Sequence, residues 1–359
     1  MRVIFQRVDR PGWAQAAVYG AAIALALAIA ALLIGLTGRD PIAVFGAMFD
    51  GAFGSQYSIA ETLLSTVPLL LCGLGIALAA RMQLWNIGAE GQLYMGAFAA
   101  TGVALAYPHL PAALLLPAMG LAGFIAGGIW SLLPGIARAY WKTSETITTL
   151  LLNYVGINFV SYLVYGPWKD HKSFNFPLTP SFSDNARLPL LWNQVHVGLI
   201  VALVIAALLW AILHQTRWGY EIRVIGESPA AAKYAGMSIV RNILLVMFVS
   251  GALAGLAGMM EVSGNIGRLQ ANISPGYGYS GIIIAYLARL NPVALIPVAF
   301  LFGGIQAGSY SVQQMGVPLA TANMIQGIIL FCVLGAEIFT RYRLRLVRPT
   351  TTTMAKEAA

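Results

Sequence analysis

Two short stretches carry the groups best suited to chemistry. Trp85-Asn86-Ile87-Gly88-Ala89-Glu90-Gly91-Gln92 and Ser274-Pro275-Gly276-Tyr277-Gly278-Tyr279-Ser280-Gly281 are glycine-rich interruptions of apolar sequence. Asn86, Glu90 and Gln92 supply two amides and a carboxyl group, and Asn153 and Asn291 add two further amides. Such groups hold a polar solute by hydrogen bonds. They do not make a catalytic set. The chain has no Ser-His-Asp grouping and no phosphate-cradling glycine loop with its lysine. His109, His171, His196 and His214 are scattered, and Cys72 and Cys332 sit in apolar runs, so no metal site is expected.

The elements that position these residues follow from composition. Hydrophobic residues make up 58% of the 359 and charged residues only 9%, against about 25% charged in a soluble domain. An all-α, polytopic membrane protein is expected. Ten spans account for the chain, near 14–36, 62–80, 92–107, 111–137, 146–166, 194–213, 243–263, 281–290, 293–310 and 321–339. The first is too long for a signal-peptide core and reads as a retained span. The eighth is too short to cross alone and reads as a broken or re-entrant helix. The transmembrane domain is 1–340, in two five-span halves, 14–166 and 194–340, joined by an outer loop over 167–193 that is a docking surface, a lid or a plain connector. Five spans per half make the second half enter from the opposite side, which is the arithmetic of an inverted repeat. The two glycine-rich interruptions fall just after the second span of each half. Paired interruptions of this kind expose backbone dipoles and point to a transport pathway, although each alone also fits a tight turn.

Glu90, Asn153, Asn158, Glu261, Asn291, Gln306 and Gln326 lie in or near spans and are candidates to line a cavity. Glu61, Glu145 and Glu337 fall near interfaces, so no carboxylate is expected in mid-span, which argues against an ion-coupled secondary carrier. Gly251-xxx-Gly255 and Gly304-xxx-Gly308 read as close helix packing. With the N-terminus in the cytoplasm, sixteen of the 21 Lys and Arg fall on the cytoplasmic side; Arg39, Lys169, Lys172, Arg187 and Arg268 fall outside. That asymmetry is the positive-inside pattern. The net charge of +8 is therefore a topology signal, and RYRLRLVR at 341–348, which opens the basic cytoplasmic tail 341–359, reads as a headgroup anchor and not a nucleic-acid patch.

Between the sixth and seventh spans, residues 214–242 form a cytoplasmic loop rich in charge. Within it Ser228 fits an N-cap, Pro229 a first helical turn, and Gly236 a left-handed C-terminal stop. A capped helix of about two turns outside the membrane is a handle for another protein, or an ordinary helical loop.

Four stretches carry a family likeness: WNIGAEGQLYMGAFAA at 85–100, TITTLLLNYVG at 146–156, VIGESPAAAKYAGMSI at 224–239 and SPGYGYSGIIIAYLARLNP at 274–292. Together they resemble the permease subunits of ABC importers, in the branch shared by branched-chain amino acid, simple-sugar and nucleoside systems. The NIGAEGQ form is most similar to purine-nucleoside uptake permeases; Ser280-Gly281-Ile282-Ile283 departs from the family's usual pattern. The resemblance implies a pathway shared with a second permease chain in a heterodimer, a cytoplasmic ATPase that binds the ATP, and a substrate-binding protein. It implies that Gly226, Glu227, Ser228, Pro229, Ala230, Ala231, Lys233 and Gly236 belong to the segment that seats in the ATPase. The chain itself is expected to be no enzyme and to need no cofactor, in the inner (plasma) membrane with both termini cytoplasmic. Asn86, Glu90, Gln92, Asn153 and Asn291 are expected to line the route. The substrate is expected to be a nucleoside or nucleobase; a simple sugar, a branched-chain amino acid and, last, an ion-coupled carrier are the alternatives.

Overall fold

The computed structural model describes residues 2–7, 12–173, 176–313, 316–318 and 320–347. In chain order its helices are α1 (Gly12–Leu36), α2 (Pro41–Phe53), α3 (Gln56–Arg81), α4 (Ala89–Ala106), α5 (Ala112–Trp141), α6 (Glu145–Tyr165), α7 (Gly198–Gln215), α8 (Arg217–Glu227), α9 (Pro229–Tyr234), α10 (Ile239–Met260), α11 (Tyr277–Leu287), α12 (Pro292–Gln313) and α13 (Ala320–Arg341). Strands β1 (Arg2–Arg7), β2 (Leu190–Trp192), β3 (Val195–His196) and β4 (Tyr342–Val347) form two small antiparallel ribbons, β1 with β4 and β2 with β3. Among the described residues, α1, α3, α5, α6, α7, α10 and α12 are long and apolar enough to cross a membrane. The other three expected spans correspond to α4, α11 and α13. Helix α2 was not expected: at 13 residues it is about 20 Å long, too short to register as a span.

The chain forms two compact units, Met1–Gly46 with Pro318–Ala359, and Ala47–Val317. In the first, α1 packs on α13, and β1 pairs with β4 in a register running from Arg2 opposite Val347 to Arg7 opposite Tyr342. Arg2, Arg7, Arg343 and Arg345 thus share one ribbon. The expected basic tail begins as this strand; residues 348–359 lie outside the described residues.

In the second unit α3 is the central helix. Its most apolar stretch is 94% buried, as a helix that is hydrophobic all round must be. Helix α10 packs against α3, α4 and α5. The small-residue spacing at Gly251 and Gly255 does what the sequence suggested. A side chain at Gly255 would strike the Gly123 carbonyl of α5, and one at Gly96 of α4 would strike the Gly255 carbonyl. Three backbones meet there without side chains between them.

Twice a long helix ends, the chain runs on without regular structure, and the next helix starts inside the bundle. After α3 the irregular stretch is 82–88. After α10 come a π-helical turn, Glu261–Ile266, and then 267–276. Helix α10 starts near the end where α3 finishes: Asn242 in its first turn bonds Glu221 of α8, whose Gly226 lies against the Arg81 carbonyl. The two irregular stretches therefore enter from opposite ends. Helix α11 is about 16 Å long, half a hydrocarbon core. It runs beside α3, with Gly281 against Cys72 and Gly73, and stops where the Arg81 guanidinium donates to the Leu290 carbonyl at 3.0 Å.

The long loop after α6 folds onto the segment after α10. Thr179 N donates to Leu269 O at 3.1 Å, Phe182 N to Gly267 O at 2.9 Å and Leu188 N to Ser263 O at 3.1 Å. His196 is sealed beneath this layer, 2% exposed, and its Nδ1 accepts from the Gly198 N–H at 3.0 Å. Burial holds its pKa down to about 4.

Two outcomes follow. Gly255→Leu drives a side chain into the α5 backbone, at about 1–3 kcal/mol or more, and should abolish the monodisperse peak in detergent gel filtration, whereas a change at the open Gly46 should not. His196 is neutral when folded and protonated when unfolded below its ordinary pKa, so stability falls as pH drops from about 6.5 toward 4, by up to about 3 kcal/mol. Thermal melting at pH 7.5 and 4.5 should show that loss, and His196→Asn should flatten it.

Candidate functional site

The site is built where the chain leaves α3. Between 82 and 88 the backbone makes no helix, yet this stretch and the first turn of α4 lie against the inner face of α6. Glu145, Thr149 and Asn153 recur every four residues on that face, and all three are buried. They replace the missing secondary structure one rung at a time. Trp85 N donates to Glu145 Oε1 at 3.4 Å, and Ile87 N to Thr149 Oγ1 at 3.2 Å. Asn153 Nδ2 donates to Ile87 O at 2.8 Å, and its Oδ1 accepts from Gly91 N at 2.8 Å. Glu145 also pairs with Arg138 at 3.2 Å.

The remaining polar groups close on one another. Asn86 Nδ2 donates to Gln92 Oε1 at 3.0 Å, Gln92 Nε2 donates back to Asn86 Oδ1 at 2.9 Å, and Asn86 Nδ2 also reaches Ser250 Oγ of α10 at 2.9 Å. Glu90, in the first turn of α4, accepts from the Gly278 N–H of α11 at 2.7 Å. The two glycine-rich stretches thus meet face to face. Only a glycine fits at 278, because a side chain would strike the Glu90 backbone. The second irregular stretch is tied down by Tyr94, whose side chain bonds the backbone of Ile273 and Ser274.

Four of the five residues expected to line a route are therefore brought together: Asn86, Glu90, Gln92 and Asn153, none more than 3% exposed. Among the described residues their polar atoms bond backbone, each other, and the side chains of Ser250 and Tyr279. Asn291 does not join them. It is exposed at the start of α12, where its Oδ1 accepts from Val293 N at 3.0 Å in a local turn. Glu90 and Glu261, expected in or near spans, lie at the start of α4 and just past the end of α10; they are 3% and 5% exposed, and Glu261 is held by Asn265 at 2.8 Å. Glu145, expected near an interface, is buried as well, while the side chain of Glu337 lies outside the described residues. Sequence reasoning missed Thr149, Ser250 and Tyr279. The Glu145-Thr149-Asn153 spacing was the available signal: three polar residues on one stripe of an apolar helix.

The family model described as the branched-chain amino acid transport system permease component matches residues 58–334, which include both irregular stretches. This chain belongs to that family. The permease is 37% identical to the glucose ABC transporter permease protein TsgB13 of Haloferax volcanii over 93% of this chain and 90% of that one. It is 35% identical to the guanosine ABC transporter permease protein NupP of Bacillus subtilis over 87% and 91%, and 31% identical to the nucleoside ABC transporter permease protein NupB of Lactococcus lactis over 87% and 88%. It is a multi-pass membrane protein.

The permease also presents a built surface at the end where α3 finishes. Thr216 caps α8, accepting from Gly219 N at 3.2 Å. Ile222 and Ile225 face inward, and Gly226 sits on the Arg81 carbonyl. Ser228 caps α9, accepting from Ala231 N at 3.3 Å, and Gly236 follows with φ +76°, both as the sequence indicated. Glu227, Ser228, Pro229, Ala230, Ala231, Lys233 and Gly236 are exposed. Tyr234, absent from the sequence-based set, is 98% exposed and is the most prominent group on α9. The base of α8 is locked by Glu221, which accepts from Asn242 at 2.7 Å and from Arg241 at 3.2 Å; these two partners hold its carboxyl below the usual carboxylate range.

Removing the Glu90 acceptor leaves a buried N–H at the start of α11 unpaired, a loss of about 1–3 kcal/mol. Melting temperatures of the purified permease should fall in the order wild type, Glu90→Gln, Glu90→Ala, because glutamine keeps an oxygen at the same reach.

Proposed function

We propose that this chain is the pathway-forming subunit of an ATP-driven importer for purine nucleosides. Its family membership, together with two relatives named for guanosine and nucleoside transport, carries the reading. The glucose relative favours a second reading, import of a simple sugar, and a nucleoside shares that chemistry through its ribose hydroxyls. The permease domain, 1–340, sits in the inner membrane with both termini cytoplasmic. The basic asymmetry of the sequence and the pairing of the two terminal strands support that orientation. A second permease chain completes the pathway, a binding protein delivers substrate from outside, and a separate ATPase subunit binds the ATP.

In this reading α9 is the handle. Its small exposed alanines seat in a cleft of the ATPase, Glu227 and Lys233 pair with charges there, and Tyr234 adds an apolar anchor. Movement of α9 passes along α8 to Gly226 and so to the end of α3. Arg81 carries it on to Leu290 at the foot of α11. Asn86, Glu90, Gln92 and Asn153 hold the frame of the pathway through which that movement acts.

Uptake of radiolabelled guanosine, adenosine, ribose, glucose and leucine by cells making the complete transporter, with and without this chain, tests the reading. Purine-nucleoside uptake should disappear on deletion and compete only with purines. Uptake of glucose or ribose instead selects the sugar reading. Ala231→Asp should abolish co-purification of the ATPase subunit while the permease still reaches the membrane; retained co-purification and uptake would remove α9 from the coupling role.

A further inference from the structure

Helix α6 carries polar residues on two opposite faces. The inner face holds Glu145, Thr149 and Asn153 against the irregular backbone. On the outer face Tyr154, Asn158, Tyr162 and Tyr165 follow at spacings of four, four and three, which places them on one stripe. Tyr154, Tyr162 and Tyr165 are 59%, 67% and 63% exposed, and Asn158 is exposed beside them.

The same face also carries Ile147, Leu151 and Val155, 59%, 59% and 53% exposed, so the polar groups are interleaved with apolar ones; the exposed stripes of the neighbouring spans lack such polar groups. The exposed stripe of α5 is Leu121, Ile125, Ile129 and Leu133, and that of α7 is Ile200, Val204 and Leu208. Those are hydrocarbon faces suited to lipid. Amide and hydroxyl groups at bilayer depth face protein or a watery cavity instead. The α6 stripe also continues onto α11. The Asn153 amide reaches the Tyr279 hydroxyl at 3.3 Å, and Tyr279 is 37% exposed. Seven residues along the same face of α11, Tyr286 stacks on Trp85 at a centroid distance of 5.3 Å. An uncharged track of aromatic rings with polar edges thus runs from the Arg81 end of the unit to Tyr165.

We infer that this track on α6 and α11 is the wall along which the substrate moves. Tyr154, Tyr162 and Tyr279 offer ring faces to a flat heteroaromatic base, and their hydroxyls with the Asn158 amide bond sugar hydroxyls. The absence of any charged residue from the track fits a neutral nucleoside and not a zwitterionic amino acid. Repeated weak stacking contacts suit passage, since a solute must leave each position as readily as it enters. The identity of the ring rests on the nucleoside reading above; the wall itself rests on the exposed polar stripe.

The test uses cells making the complete transporter, with Cys72 and Cys332 replaced by alanine. Single cysteines are placed at Tyr154, Asn158 and Tyr162, with Leu208→Cys as the lipid-facing control, and treated with a charged, water-soluble methanethiosulfonate. The track cysteines should react about tenfold or more faster than the control, and guanosine should slow them while leucine does not. Tyr162→Ala should raise the KM for guanosine about tenfold and Tyr162→Phe much less, because the ring face is kept. If the track cysteines react no faster than the control in variants that still transport, a partner helix seals the stripe and the inference is overturned. Fast reaction that no solute slows overturns it equally. Protection by glucose or ribose alone keeps the wall and removes only the nucleoside reading.

Discussion

A backbone that leaves the helix inside a bilayer has no water to bond to, so each of its peptide groups needs a partner within the protein. This permease breaks its helices twice, after α3 and after α10. The inner face of α6 answers the first break with Glu145, Thr149 and Asn153, one side chain per turn. The second is answered by Glu90 at the start of α11 and by Tyr94 along the descending segment. The two repairs share one element, since Glu90 sits in the helix that the first irregular stretch begins. At the start of the half-helix α11, Ser274 Oγ accepts from Gly276 N and Tyr277 N, and a carboxylate from the other half of the chain receives the next N–H, that of Gly278.

That shared element makes the centre of the unit a single mechanical object. The end surface formed by α8 and α9 touches α3 through Gly226, and α3 touches the foot of α11 through Arg81. The head of α11 touches α4 through Glu90 and α6 through Tyr279. Apart from the side-chain bond between Asn153 and Tyr279, these contacts are backbone approaches or hydrogen bonds to backbone, which tolerate little slack. A displacement at α9 has a short, stiff route to the exposed stripe of α6. Helix α6 has its inner face occupied by structural bonds, and its outer face carries polar groups that are exposed among the described residues.

Much was legible in the residues. Low charge, long apolar runs and the distribution of Lys and Arg gave a polytopic helical protein, because a bilayer leaves few other solutions for such a chain. The short eighth span announced a broken helix by its length alone, and the structure has α11 there. Ser228, Pro229 and Gly236 specified α9 through local rules of capping and left-handed backbone, which need no tertiary context. Gly251 and Gly255 announced close packing for the same reason: a missing side chain matters locally.

What only the tertiary structure decided is which polar groups face each other. Asn86, Glu90, Gln92 and Asn153 look like a solute site when read along the chain, because amides and carboxylates in apolar sequence are rare. Their partners are Ser250, Gly278, Ile87 and Gly91, up to 188 residues away, and once these are met little bonding capacity remains. Asn291 carries the same chemistry but belongs to a local turn. Neighbouring residues of one helix, Asn153 and Tyr154, end on opposite sides of α6 with opposite roles. Helical geometry alone says that they diverge; only the packing of 85–91 and α11 says which side is sealed.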